Sequence, residues 1–422
     1  EFRRVLFRSM AGCLTMPLSN IGLYGKGVLE LPLTSLTEEY KCSKVRLQMA
    51  LKDSKDQTIS KAAPPLQTGR KWTSSKAVQQ ATSALRHQDI VGNIQHGRGG
   101  FGLAASKPTF HKATTSERRK LVVEEVRRQE ETARSAKAVS LAKQGQWTQW
   151  EGLERRKINW SELWQMEASN ISFIIRAVYD VLPSPKNLHQ WYGEDSTCPL
   201  CPAPATLRHI MTGCKTSLSQ GRYTWRHNQV LKSLAVALET KRSATNSLPP
   251  KTSNPVKTTT FIREGQKRPK YPPTKPETGH LAMARDWKML VDIGQQLIFQ
   301  PEIASTNLRP DMVLWSPSRK AVYIIELTVP WENSVEEAYE RKKLRYTELA
   351  ADATQRGWNA KVWPVEVGCR GFVASSIIRL LKELGIHGQA LLQTVRAVSQ
   401  AAERGSQWIW IKRKDPCWAI TS

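Results

Sequence analysis

No stretch of this chain approaches the roughly 18 consecutive apolar residues of a membrane-spanning helix, so a helical span is not expected. Acidic residues are scarce: 37 Asp and Glu face 63 Lys and Arg, for a formal charge of +26. Without a membrane segment, so large an excess points to a polyanion, with nucleic acid the first choice. Cysteine is sparse as well, seven in 422 residues and an odd number. In a large chain without a secretory signal, that count fits a reducing compartment and metal binding better than a disulfide framework. The Tyr-x-Asp-Asp and Phe-Ala-Asp-Asp signatures of polymerases are missing too, so no polymerase activity is assigned. What remains has 40% hydrophobic residues, enough for a core, and 23 Pro, which implies substantial loop.

The stretch that organises the rest is Arg309–Tyr346. Met312-Val313-Leu314-Trp315, the Ser/Pro turn of 316–320 and Ala321–Val329 read as a β-hairpin. Strand alternation puts Val322, Ile324, Glu326 and Thr328 on one face, and Tyr323, Ile325, Leu327 and Val329 on the other. Glu326, flanked by Ile325 and Leu327, is costly to bury unless something positive meets it. Asp311 at the head of the first strand can place a second carboxylate nearby, and a divalent cation between the two would relieve their repulsion. The alternative is an edge hairpin whose two acids are solvated.

Pro330 ends the strand, and Ser334 with Glu337 predicts a capping box for the next helix. Its apolar stripe is Val335, Ala338, Tyr339, Tyr346, Leu349, Ala350 and Ala353. At about 100° per residue Lys342 projects near the centre of that stripe, with Lys343 and Arg345 on its flanks. Either Lys342 meets the carboxylates or its stem lies along apolar surface with its head in water.

Cys198-x2-Cys201-x7-His209-x4-Cys214 supplies three thiolates and an imidazole, a complete tetrahedral set for Zn²⁺. The set is closed, so its expected role is structural or binding rather than catalytic. His209 should begin a helical turn. Arg222, Tyr223, Trp225, Arg226 and His227 follow as a basic-aromatic patch suited to nucleic acid. Cys13, Cys42, Cys369 and Cys417 have no such spacing and read as ordinary thiols.

Arg-Pro-Asp, fourteen residues, Glu-Leu-Thr and then the helical Tyr339-x-x-Lys342-x-x-Arg345-Tyr346 resemble the restriction-like endonuclease of site-specific non-LTR retrotransposons, a variant of the PD-(D/E)xK nuclease fold. The Cys-Cys-His-Cys finger upstream is similar to the one in the same class, and the likeness covers roughly residues 120–415. It implies that Asp311 and Glu326 are ligands of a catalytic Mg²⁺. Thr328 stands where the usual lysine would be, and the resemblance hands that role to Lys342 on the following helix. It also implies a longer parent polypeptide with a reverse transcriptase, a nuclear location, and target DNA and element RNA as partners. In the parent element, a nick in target DNA would prime reverse transcription. Asp292, Glu302, Thr328, Arg345 and Glu366 are further candidates for the same site. The rival is a catalytically dead remnant that only binds nucleic acid, which Thr328 favours and Lys342 disfavours.

Along the chain, residues 1–9 resemble translated cloning or adaptor sequence and are set aside. Residues 10–115 read as a poorly structured basic region, with the glycine cluster Gly97–Gly102 a flexible loop rather than a dinucleotide site. A helical region follows over 116–190, with Ser116 capping a charged helix and Glu124–Arg128 pairing along it. Trp147, Trp150, Trp160 and Trp164 lie among basic residues; base stacking is conceivable, but their helical spacing favours core packing. Leu163–Leu182 continues as an apolar helix. Residues 191–240 hold the finger and a basic helix. Residues 241–279, with nine Lys/Arg and two Glu, form a disordered basic tether whose Lys267, Arg268 and Lys270 would grip phosphate. Residues 280–415 form the mixed α/β nuclease-like domain, with a helix around Ala282–Phe299, a strand at Ala360–Val367 and a final strand at Trp408–Ile411.

Overall fold

A computed structural model describes residues 28–62, 71–91, 94–97, 100–103, 109–141, 145–249, 279–294 and 296–418. They form two compact units, one from 28–148 with 157–165 and one from 149–156 with 166–418. Among these residues no helix is long and apolar enough to cross a membrane.

The first unit packs α1 (Leu36–Lys52), α2 (Gln57–Ala62), α3 (Ser74–Val91) and α4 (Thr115–Val139), with a short α5 (Trp160–Gln165). Region 10–115, expected to be poorly structured, therefore carries three helices. Polar composition hides one narrow stripe in each helix, and Cys42 and Val45, Ala81 and Leu85, and Val122 and Val126 close into one buried cluster. The α4 cap falls on Thr114, not Ser116: its hydroxyl accepts from the Glu117 amide while the Glu117 carboxylate accepts from the Thr114 amide at 2.8 Å. Arg128 pairs with Glu125 at 2.7 Å rather than with Glu124. Of the glycine cluster, Gly97 lies in β1 (Ile94–Gly97) and Gly100 and Gly102 in β2 (Gly100–Leu103), which pair antiparallel; residues 98 and 99 lie outside the described residues. Trp160 and Trp164 depart from the core expectation: both are at least half exposed and stack on each other, ring centroids 6.4 Å apart.

In the second unit the expected apolar helix is interrupted at Glu167, whose extended backbone opens α6 (Ala168–Val178). Then come α7 (Pro185–Tyr192), the hairpin β3 (Thr197–Cys198) and β4 (Cys201–Pro204), α8 (Lys215–Ser219) and the long α9 (Arg222–Asn246). A four-stranded sheet follows, formed by β5 (Lys288–Val291), β6 (Met312–Ser316), β7 (Ala321–Thr328) and β8 (Asn359–Glu366) in the order β8-β7-β6-β5. β6 pairs antiparallel with both β5 and β7, and β8 lies parallel to β7 after the crossover helix α10 (Val335–Gln355). Two more helices follow, α11 (Ser375–Glu383) and α12 (Gly388–Ile411).

Period-2 alternation decides which helix covers which face. Val322 and Ile324 pack on Tyr346, Leu349 and Ala353 of α10. Tyr323, Ile325 and Leu327 pack on Leu231, Leu234 and Leu238 of α9, Ile377 of α11 and Val398 of α12. The helix after the finger is thus part of the sheet's own core, and the expected boundary between residues 240 and 280 does not separate two folds.

Two expected elements are different ones. Within 282–299 the described residues form no α-helix but the end of a 3-10 turn (His280–Met283) and the strand β5, because Trp287 is buried, stacks on Tyr323 at 5.5 Å, and is held on its backbone by the Asn246 amide. At 408–411 the Trp-Ile-Trp-Ile alternation is not a strand but the last turn of α12, with Ile409 and Trp410 buried. The α10 capping box is also absent. A 3-10 turn, Glu332–Ser334, leads into that helix, and the Ser334 hydroxyl accepts from Arg208 instead. Gly357 does act as the stop, with φ +83°.

Candidate functional site

β3 and β4 form a knuckle that sets Cys198 opposite Cys201, and the π-helical turn His209–Gly213 delivers His209 and then Cys214. The four ligand atoms lie within 4.8 Å of one another. Cys214 Sγ is 3.8 Å from Cys201 Sγ, and His209 Nε2 is 3.3 Å from that same sulfur. A tetrahedral zinc with bonds of about 2.3 Å to sulfur would hold two thiolates about 3.8 Å apart. Burial holds His209 below its ordinary range, which favours the neutral imidazole a metal needs. Burial pushes the Cys198 thiol up to about 11. At Cys214 burial acts the same way, but hydrogen bonds from Ser217 and the neighbouring thiols outweigh it and the net shift is downward. This Cys3His cluster can hold a metal ion such as zinc.

α9 starts one short helix later, and its first turns are committed to the protein itself. Arg222 and Arg226, expected to meet nucleic acid, are buried. Arg222 donates to the Lys412 and Asp415 carbonyls, and Arg226 to those of Met211 and Val329. The Tyr223 hydroxyl accepts from the Cys214 amide at 3.0 Å and donates to the Ile210 carbonyl. Trp225 packs edge-on against Trp418. The basic-aromatic pattern marks a helix anchored at its base rather than a free nucleic-acid surface.

The next residue, His227, reaches the carboxylates. Its Nε2 is 3.3 Å from Asp311 Oδ2 and 3.2 Å from the Leu327 carbonyl. Burial works against the imidazolium, yet hydrogen bonding and attraction from Asp311 prevail and raise the His227 pKa. Asp311 Oδ2 also accepts from the Leu327 amide at 2.7 Å, while the Asp311 amide donates to Glu326 Oε2 at 3.1 Å. Adjacent strand ends therefore clasp the two acids together. Glu326 is 3% exposed, and its other oxygen is ion-paired with Lys342. Burial raises the Glu326 pKa and Asp311 adds to the rise, with Lys342 opposing both. Lys342 comes from the inward stripe of α10, whereas Lys343 is exposed and lies over the Tyr339 ring.

These groups line a cleft of about 500 Å³ together with Asp292, Arg309, Thr328, Arg345 and Tyr346. Asp292 belongs there because its amide donates to the Asp311 carbonyl at 2.8 Å, as the first residue beyond β5. The Thr328 hydroxyl oxygen is buried without a hydrogen-bond partner among the described residues. Two expected members are elsewhere. Glu302 is exposed and contributes its carbonyl to the Trp358 indole. Glu366 pairs with Thr328 in register but is buried outside the cleft lining, accepting from the Ser376 hydroxyl at 2.6 Å. Lys267, Arg268 and Lys270 lie outside the described residues. Sequence reasoning missed Arg309 and Asn307 in the lining; Arg309 had a signal, its place beside Pro310-Asp311. Compared with known protein families and with characterised proteins, the chain finds no match.

Proposed function

We propose that this chain is the nuclease portion of a non-LTR retrotransposon protein, with a PD-(D/E)xK-like, Mg²⁺-dependent endonuclease site. The observation that carries the reading is the ion pair of Lys342 with the buried Glu326, in a cleft shared with Asp311. Further support comes from the chain order of Cys3His cluster, carboxylate hairpin and lysine helix, and from a helix that follows the hairpin onto one sheet face.

The donor set fits a hard cation: two carboxylates at a clefted strand end, with no thiol or unshared imidazole among the acids. Asp311 Oδ1 takes part in no hydrogen bond among the described residues, so Asp311 can offer it while Oδ2 is held by Leu327. When bound between Asp311 and Glu326, the cation would activate water and stabilise the departing 3′ oxygen of a phosphodiester. Lys342 places a positive head where charge builds on the phosphate, and Arg309 and Arg345 on the cleft wall add attraction for the strand. His227 keeps Asp311 oriented from the opposite side. In the parent element, a nick in target DNA would prime copying of its RNA in the nucleus, while the cluster at Cys198 holds structural Zn²⁺.

The test is nicking of supercoiled plasmid by the full chain with Mg²⁺ and with a chelator. Failure to nick under any divalent metal, with DNA still bound, would favour the second reading, a catalytically dead nucleic-acid-binding remnant. One observation supports that alternative: Lys342 and the Asp311 amide already occupy both oxygens of Glu326.

A further inference from the structure

The chain's positive charge needs a location. Arg222 and Arg226 are engaged with the protein's own carbonyls. Between residues 36 and 139, by contrast, twenty Lys and Arg stand against ten Asp and Glu. Much of that excess faces two clefts of the helical unit. A cleft of about 280 Å³ is lined by Arg46 of α1 and by Arg119 and Lys120 of α4. Another, of about 330 Å³, is lined by Lys52 of α1, Arg86 of α3 and Arg118 of α4. The two adjoin, because Arg119 of the first pairs at 3.6 Å with Asp53 of the second.

Some of these cations are used internally and others are not. Arg118 donates to the Phe110 and His111 carbonyls, and Arg119 answers Asp53. Arg46, Lys52 and Arg86 are exposed, and their side chains make no hydrogen bond or ion pair among the described residues. They project from helices locked by the Cys42–Val45–Ala81–Val122 cluster, so their spacing is set by a packed frame. Glu124 lines the first cleft and Asp53 the second, but Lys and Arg outnumber the acids in both linings. That surplus suits a ligand with repeated negative charges better than a single anion.

We propose that the groove between α1, α3 and α4 binds the phosphodiester backbone of nucleic acid, with Arg46, Lys52 and Arg86 as its free contacts. This holds whether or not the carboxylate cleft cuts. It differs from the expectation of a binding patch at the start of α9, whose Arg222 and Arg226 are engaged internally, and from a tether at 241–279, because it rests on exposed cations of packed helices.

The test uses the full chain and a fluorescent 20-nucleotide single strand and its duplex, titrated over a salt series. The triple variant Arg46→Gln, Lys52→Gln, Arg86→Gln is compared with Lys55→Gln, Lys61→Gln, Lys137→Gln, which removes the same charge from exposed positions outside both clefts. The groove variant should lose roughly 10- to 100-fold in affinity near 0.1 M salt, and its log–log salt slope should flatten by about 2 to 3. The matched control should change about threefold or less. A third variant, Arg46→Lys with Arg86→Lys, should keep most of the binding and shows that charge rather than fold is being read. Equal losses in the two Gln triples, or no loss in either, overturns the proposal. So does a groove triple that stops binding phosphatidylserine vesicles while its oligonucleotide affinity stands.

Discussion

The two candidate metal centres of the second unit are built from opposite materials. The Cys3His cluster draws soft donors from 17 consecutive positions and surrounds its centre on every side. The carboxylate pair draws hard donors from two strands, keeps Lys342 and His227 at hand, and opens on a cleft of about 500 Å³. A closed set with no vacancy for substrate suits a structural ion, and an open one with neighbouring cations suits chemistry. The two also depend on different things. The cluster needs one knuckle and one helical turn. The acids need the β6–β7 register to hold, since a one-residue slip would carry Glu326 to the opposite face.

The largest effect that would break this contrast comes from the closed site. Chelation, or Cys214→Ser, should take bound zinc from one per chain to near zero. Because metal binding at structural sites is part of folding, the second unit's melting temperature should fall by about 10 °C or more. Elemental analysis with thermal melts checks this, and a metal-free chain that melts unchanged would demote the cluster to an accident of spacing.

Next comes the open site. Asp311→Ala and Glu326→Ala should each abolish plasmid nicking while DNA binding stays near wild type. Lys342→Ala should cost about 10²–10³-fold in rate, and Lys343→Ala about twofold or less, because Lys343 lies over the outer Tyr339 ring. Thr328→Lys puts the common nuclease lysine into a cleft wall whose hydroxyl has no partner, and should restore part of the rate lost in Lys342→Ala. Equal losses at 342 and 343 would mean that the Glu326 ion pair is not what matters.

Legibility in the sequence followed the same contrast. Cys198, Cys201, His209 and Cys214 could be read because their partners are neighbours in sequence. The hairpin, the strand at 360–367, the shared face of Val322, Ile324 and Glu326 and the inward phase of Lys342 were also readable, from periods of 2 and 3.6. What could not be read needed partners far along the chain. The 282–299 segment has helical spacing, yet Asn246 and Tyr323 hold Trp287 immediately ahead of strand β5. Arg222 and Arg226 look like phosphate contacts until the carbonyls of 412, 415, 211 and 329 come to meet them. Trp408-Ile409-Trp410-Ile411 alternates as a strand does, but it continues a helix already committed upstream.

A smaller effect separates Glu366 from the acids of the cleft. Burial pushes its carboxyl up to about 7, well above the ordinary glutamate value of 4.5. The folded protein then holds a proton that the unfolded chain has released, so stability should fall as pH rises from about 4.5 to 7 and level off above. Glu366→Gln should remove that slope and stabilise the chain at pH 8 by about 2–3 kcal/mol, with little change at pH 4. Urea denaturation at both pH values measures it. A variant that is destabilised at pH 8 instead would imply a charged Glu366 with a cationic partner, and would return it to the list of site acids.

The smallest expected effect asks whether the two centres are independent, and it falls on Tyr223. Its hydroxyl accepts from the amide of Cys214 in the Cys3His cluster and donates to the Ile210 carbonyl, while the residue also lines the carboxylate cleft. Tyr223→Phe keeps the ring and leaves the Cys214 amide without its partner, a cost of about 1–2 kcal/mol. Zinc affinity should therefore weaken roughly 5- to 30-fold, read by competition with a chromophoric chelator. Nicking at saturating zinc should change about twofold or less, because Asp311 and Glu326 are held by Leu327, Lys342 and each other rather than by Tyr223. A matching fall in both quantities would mean that α9 carries strain from one centre to the other, and the closed and open sites would then be two ends of one device.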